Sequence, residues 1–404
     1  MAEARPTGPL QGLRVFDLTR VLAGPTCVQM LADLGADVVK IEKPGSGDDT
    51  RGFAPPFWPG TQESAYFLGV NRNKRSVTLD IARPEGQEVA RALIAGSDVL
   101  VENFKAGALA KYGLGYEQLR AQFPRLVYCS ITGFGQTGPY APRPGYDSLI
   151  QAMGGVMSLT GEPDGQPQKV GIPVADLFAG LYGCIGLLAA LRHRDATGQG
   201  QQVDIGMLDT HAAWLANQGM NYLATREDPP RLGNQHPNIV PYQVFPTEDG
   251  YMVLSVGNDP TFKRFCEAFG LAHLLDDPRF ATNAARVANR ALVTDTLTPA
   301  MRQHPTNWWI EQLEAIGVGC GPINQLSQVF ADPQIKAREA VVRMAHPAAP
   351  DGIEVIANPV RLSETPADYR LPPPMLGQHT DEVLRGRLGF DEARLAALRE
   401  RGVI

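Results

Sequence analysis

The sequence contains no CxxC pair, and its five cysteines (Cys27, Cys129, Cys184, Cys266 and Cys320) are odd in number and widely spaced. That pattern argues against a disulfide framework or a thiolate zinc site and reads as buried thiols in a reducing, cytoplasmic setting. The histidines (His193, His211, His236, His273, His304, His346 and His379) show no HxH or HExxH spacing, there is no GxSxG elbow, and carboxylate clusters of the kind that hold magnesium are missing. Metal-assisted and serine hydrolysis therefore lose their signatures, and no metal is expected. A basic excess is lacking too: the net charge of -6 gives no overall attraction to nucleic acid or to an anionic membrane, so a polyanionic ligand has to be met by a local basic patch. The opening "MAEARPTGPLQGLRVFDLT" has no basic segment followed by a long apolar run, and no stretch reads as a membrane span. A cytoplasmic protein without a membrane partner is the expectation.

What is present is an alternation. The 404 residues exceed one ordinary core, so at least two lobes are expected. "LRVFDLT", "ADVVKIE", "KRSVTLDI", "DVLVENF" and "LVYCSITGFG" read as strands, separated by the helical "GPTCVQMLADLG", "PEGQEVARALIAGS" and "YEQLRAQFP". Repeated strand-helix-strand units imply an α/β fold with a mainly parallel sheet covered on both faces. After the apolar helix "VADLFAGLYGCIGLLAALRHRDATG" and the strand-like "QQVDIGML", the text loosens into a stretch rich in proline, asparagine and glycine, which places a change of domain near Arg226 to Gly233. The tail reads as a proline-rigid connector leading into two short helices.

Two features carry chemistry. Basic residues recur beside the strand ends, at Lys43, Arg51, Lys74, Arg75, Lys105, Lys111 and Arg143, and converging loops would let them hold phosphates. Taken singly, each reads more readily as a solvated surface charge. The loop with Gly24 and Pro25 is not GxGxxG, so a nicotinamide site is poorly supported. The second feature is Asp176 in "GIPVADLFAG", set among apolar and small residues at the entry to a helix. It is either an N-cap or, because glycines admit a close ligand and poor solvation sharpens a carboxylate, a nucleophile or base.

The ordered set "FDLTRVLAGP", "LGADVVKIEKPGSGDDTR", "NRNKRSVTLD", "VENFKAGALAKYGLGYEQL", "CSITGFGQTGPY", "GYDSLIQAMGG" and "VADLFAGLYG" closely resembles the class III CoA-transferase family, which includes formyl-CoA transferase and carnitine CoA-transferase. The likeness continues more weakly through "VPYQVFPTEDGYMVLSVGND", "GPINQL" and "PPPMLGQHT". It implies transfer of coenzyme A from an acyl-CoA to a small carboxylic acid, with Asp176 as the catalytic aspartate passing through an anhydride and an aspartyl-CoA thioester. By position, the resemblance puts CoA contacts at Val21, Leu22, Ala23, Lys43, Leu79, Asn103, Phe104, Lys105, Lys111, Arg143 and Tyr146. It also implies a large Rossmann-like, doubly wound domain over 1–195, a helical linker over 196–230, a small α+β domain over 231–328 and a strap over 329–404 that returns to the large domain. Family members form an interlocked homodimer of ring-shaped chains.

Leu22 stands where formyl-CoA transferases carry glutamine, and "VGNDP" replaces their glycine-rich loop, so formate and oxalate chemistry is disfavoured. The motif text is most similar to the branch that moves CoA from succinyl-CoA to glutarate or another dicarboxylate. Arg51, Arg72 or His236 then become candidates for the distal carboxylate. The alternatives are a 2-methylacyl-CoA racemase of the same fold, disfavoured by Tyr146 at its histidine position, and a non-catalytic CoA-binding protein.

Overall fold

The computed structural model describes residues 7–404 and divides into two compact units. The first runs up to Gly154 and takes in Gly171–Trp214 and Lys336–Ile404; the second comprises Gly155–Val170 and Leu215–Ile335.

The first unit is built on six strands, β1 (Arg14–Asp17), β2 (Asp37–Glu42), β3 (Lys74–Thr78), β4 (Val99–Glu102), β5 (Val127–Thr132) and β6 (Gln202–Gly206). All pair in parallel in the order β3-β2-β1-β4-β5-β6. β4 and β5 are buried at every residue, as a sheet covered on both faces requires. One face packs the Ala23–Asp33 and Val174–Thr197 helices through Val28, Leu31, Ala179 and Leu187. The other packs the Pro84–Ala95 helix and the C-terminal helices Thr380–Leu388 and Glu392–Glu400 through Val89, Leu93, Leu384 and Leu398. The strand order reverses between β1 and β4, and ligands of open α/β sheets bind in the crevice beyond the strand ends at such a point.

The domain boundaries expected from sequence need correction. Residues 196–214 are not part of a linker: β6 pairs with β5 and completes the sheet edge. Residues 155–170 leave the N-terminal unit, because the Gly161 carbonyl accepts the Gly233 N–H and Arg231 donates to the carbonyls of Glu162 and Gly165. The expectation that no stretch approaches a membrane span also needs amendment, since Val174–Thr197 is long and apolar enough to cross one. Its burial against the sheet and the Ala23–Asp33 helix makes it a core helix.

In the second unit, β7 (Tyr242–Pro246), β8 (Tyr251–Ser255) and β9 (Gly319–Pro322) form an antiparallel sheet. Phe245, Leu254, Phe262, Phe265, Val293 and Trp309 build its separate core.

Candidate active site

The turn after β1 is held from several sides. Asp17 accepts the Thr19 N–H at 2.8 Å and the Thr19 hydroxyl at 2.5 Å. Lys40 on β2 donates to the Thr19 carbonyl and to Asp48 Oδ2, each at 2.8 Å, with both charged side chains fully buried. Despite burial, the Lys40 ammonium holds Asp48 down to about 2. From the end of β4, Asn103 accepts the Arg20 N–H at 2.9 Å and donates to the Arg20 carbonyl at 2.6 Å. The loops after β1 and β4 are thus stitched together at the switch point.

Beside that stitch lies a cleft of about 370 Å³ whose lining includes Arg20, Lys43, Asp48, Leu79, Phe104 and Tyr112. Of the residues expected to contact CoA, Lys43, Leu79 and Phe104 meet here, with the Arg20 guanidinium 5.0 Å from the Phe104 ring centre. Lys111 lies 4.6 Å from the ring of the lining residue Tyr112. Leu22 and Ala23 are buried in the core and line neither this cleft nor the next one described. Lys105 lines a different cavity of about 410 Å³ beside Glu102, Ser130 and Gln136. There Glu102 accepts the Phe104 N–H at 2.8 Å, and burial raises its carboxyl to about 7. Arg143 is exposed and sits 3.9 Å over the Tyr140 ring; Tyr146 is also exposed, at the N-cap of the Asp147–Met153 helix.

Asp176 is the third residue of the Val174–Thr197 helix. Pro173 holds the N-cap position, which overturns the capping reading of Asp176. The partner of the first turn is instead Asp147, whose Oδ1 accepts the Ala175 N–H at 2.9 Å while Oδ2 accepts Gln151 Nε2 at 2.7 Å. Burial, with the Asp147 charge second, pushes the Asp176 carboxyl up to about 7. Such a carboxylate is a stronger base and nucleophile than one in water. Tyr66 feels the same group: burial first, then Asp176, Asp147 and Asp48, raise its phenol to about 12 and keep it a neutral hydrogen-bond donor near neutral pH.

Sequence reasoning missed Asp147, Tyr66, Asp48 and Arg20. Asp147 adjoins the expected Tyr146, but nothing in its spacing from Ala175 shows that a helix cap comes from 28 residues upstream.

Several expected cations are already engaged. Arg51 is bidentate to Glu42, with both contacts at 2.8 Å. Arg72 is bidentate to Asp33 at 2.9 and 2.6 Å and also donates to the Ile356 carbonyl. Lys74 lies 3.5 Å from Asp17 and donates to the Pro25 carbonyl, and Arg75 pairs with Asp37 and Glu382. His236 accepts the Asn238 N–H and stacks on Tyr242 within the second unit. No group of three or more His, Cys, Asp or Glu side chains converges as a metal site among the described residues.

A desolvated carboxylate in a helix's first turn and a cleft at the switch point of a parallel sheet agree with the model of CoA-transferase family III, which matches residues 10–380. The chain belongs to CoA-transferase family III. It is 48% identical to the succinate–glutarate CoA-transferase of Agrobacterium fabrum, over 93% of this chain and 95% of that protein. It is 42% identical to the human succinyl-CoA:glutarate CoA-transferase, over 98% of this chain and 90% of that one. The crystal structure of a CAIB/BAIF family protein from Brucella suis superposes with a TM-score of 0.83 at 48% identity, covering 94% of this chain and 100% of that one. As a family III CoA-transferase, the protein is an enzyme that works on CoA thioesters.

Proposed function

We propose that the enzyme transfers CoA from succinyl-CoA to a small dicarboxylate such as glutarate, with Asp176 as the nucleophile. The observation that carries the chemistry is the Asp176 carboxyl, raised to about 7 in a helix's first turn. The names of relatives at 48% and 42% identity support the substrate class. An Asp176 oxygen attacks the thioester carbonyl and expels CoA thiolate, leaving a mixed anhydride. The thiolate attacks the aspartyl carbon of that anhydride, releasing the donor acid and forming the aspartyl-CoA thioester. The acceptor carboxylate attacks this thioester to give a second anhydride and free thiolate. Thiolate attack on the acceptor's acyl carbon then makes the new acyl-CoA and restores Asp176. Each step forms one bond to an acyl carbon and breaks another, the negative charge passing from the attacking to the leaving group, so no metal or redox group enters the balance. Division into acyl transfers lowers each barrier, provided water is excluded.

The adenosine and phosphate end of CoA fits the cleft with Lys43, Leu79 and Phe104, and the exposed cations Lys111 and Arg143 supply further phosphate partners. Arg51 and Arg72 are spent on buried carboxylates, so the distal carboxylate of the acid is assigned to neither. The division into a large CoA-binding domain, a small domain and a returning C-terminal strap belongs to the same reading. An interlocked homodimer is supported by the exposed stripe Leu181, Ile185 and Leu188 on the Asp176 helix, spaced i, i+4, i+7. A cytoplasmic location is supported by five free cysteines.

The test is to incubate the protein in deuterated water with succinyl-CoA and a panel of carboxylic acids and to separate the thioesters by mass. New unlabelled thioesters that vanish with Asp176→Ala establish transfer and name the acceptor. Deuterium gained at the α-carbon of a 2-methylacyl-CoA, without exchange, would move the assignment to racemase. Light scattering that returns a monomer would remove the dimer.

A further inference from the structure

The cavity of about 410 Å³ behind the turn after β4 has no part in the acyl-transfer chemistry proposed above, yet it has the size of a small-molecule site. Its buried acceptors are spent within the wall. Glu102 takes the Phe104 N–H at 2.8 Å and a hydrogen bond from Ser130, and Ser130 Oγ in turn takes Gln202 Nε2 at 3.4 Å. Gln118 closes on its own surroundings, accepting the Gly115 N–H at 3.1 Å and donating to the Ala110 carbonyl at 3.0 Å.

What remains unspent is donors. Gln136 Nε2 is buried with no hydrogen-bond partner, while the Gln136 backbone N–H is anchored on Asp204 at 3.0 Å. An amide nitrogen buried without an acceptor is costly until something binds there. Lys105, the exposed cation of the lining, makes no ion pair among the described residues. The rest of the wall is largely apolar, with Leu109 and the Tyr116 ring. Free donors and a cation call for a negatively charged acceptor, and the apolar wall calls for a body behind it. The carboxyls of the lining do not oppose this. Burial raises Glu102 to about 7, so near neutral pH it bears only part of a charge, and the exposed Glu117 is paired with Arg120.

We infer that this cavity is a second binding site, distinct from the CoA cleft, for a small organic acid: Gln136 Nε2 and Lys105 donate to its carboxylate, and Leu109 and Tyr116 pack against its body. The two sites share one turn. Phe104 lines the CoA cleft and Lys105 the second cavity, while Glu102 holds the turn between them through the Phe104 N–H. Occupancy of one site is therefore linked to affinity at the other, and the linkage is reciprocal. The linkage rests on CoA occupying the first cleft; the site itself does not.

The experiment titrates benzoate, inorganic phosphate and CoA separately into the full-length protein by calorimetry, comparing wild type with Gln136→Leu and Lys105→Met. Gln136→Leu removes a donor that has no partner, so the fold is kept, and thermal melting checks this. Benzoate is expected to bind wild type more tightly than phosphate does, and to bind each variant about tenfold or more weakly. Saturating benzoate should shift the Kd for CoA by about fivefold or more in wild type and leave it unchanged in Gln136→Leu. No benzoate binding, or equal binding by wild type and both folded variants, would overturn the site. Outright displacement of benzoate by CoA would do the same, by placing it in the CoA cleft, and tighter binding of phosphate would overturn the organic-acid class. An unchanged Kd for CoA would overturn the linkage. A Phe104→Ala variant that binds CoA like wild type would remove the first-cleft reading, and the linkage with it, while leaving the site standing.

Discussion

Asp147 ties down the helix that carries Asp176: its Oδ1 accepts the N–H of Ala175 at 2.9 Å, and its charge is the second cause, after burial, of the raised Asp176 carboxyl. One carboxylate thus fixes the backbone next to the proposed nucleophile and makes that nucleophile more basic. With the carboxyl raised to about 7, part of Asp176 holds its proton at neutral pH.

With the carboxyl at about 7, kcat/KM for transfer should rise with pH through that value and then level off. Asp147→Asn keeps an oxygen for the Ala175 N–H but removes the charge, so the midpoint of the profile should move to lower pH. A profile that is flat from pH 5 to 9 in wild type would contradict the assignment.

Stability should carry the opposite mark. The folded-state value lies above the ordinary 3.8, so between those limits the native state holds a proton that the unfolded chain has lost. That contribution is complete below about pH 4 and disappears as pH rises through about 7. Asp176→Asn should therefore exceed wild type in stability at pH 8 by about 1–3 kcal/mol, with the gap closing towards pH 4. Denaturant unfolding at both pH values measures it.

Gly180→Ala should force the two helices apart, because the added Cβ would meet the Ala23 carbonyl, which is backbone and cannot rotate away. A loss of about 1–3 kcal/mol in unfolding free energy is expected, with a drop in kcat since the helix that carries Asp176 moves. Gly171→Ala, which meets nothing within 4 Å, is the control.

Arg72→Met should behave as a folding lesion. It leaves Asp33 buried and without its bidentate partner, at an expected cost of about 3–5 kcal/mol. The soluble fraction should show no selective rise in KM for dicarboxylate over monocarboxylate acceptors. A selective rise would return Arg72 to the substrate site.

Lys43→Ala should act on binding alone. The side chain is exposed at the cleft and makes no ion pair among the described residues, so stability should change by less than about 0.5 kcal/mol. KM for acyl-CoA should rise several-fold at unchanged kcat, and the salt dependence of that KM should weaken.

Much of this molecule was legible in the text. Period-two and period-three-to-four patterns located all six strands of the parallel sheet, because strands buried on both faces read as apolar runs and the covering helices as amphipathic stretches. Asp176 stood out because a lone carboxylate among glycines and apolar residues is a local property of ten residues. The cations were less legible. Lys43 and Arg51 look alike in sequence, yet one faces the cleft and the other is locked to Glu42, nine residues away at the end of β2.

The sequence by itself determined the layered α/β architecture and the family, and singled out Asp176 as the candidate for covalent chemistry, since each is encoded in near-neighbour spacing and ordered motifs. Only the tertiary structure decided which charges are free, that Asp147 rather than Asp176 serves the helix start, and that Gly180 packs against the Ala23 carbonyl. Those relations join residues from 28 to more than 150 positions apart, and side-chain pairing at such range is set by strand order and helix packing.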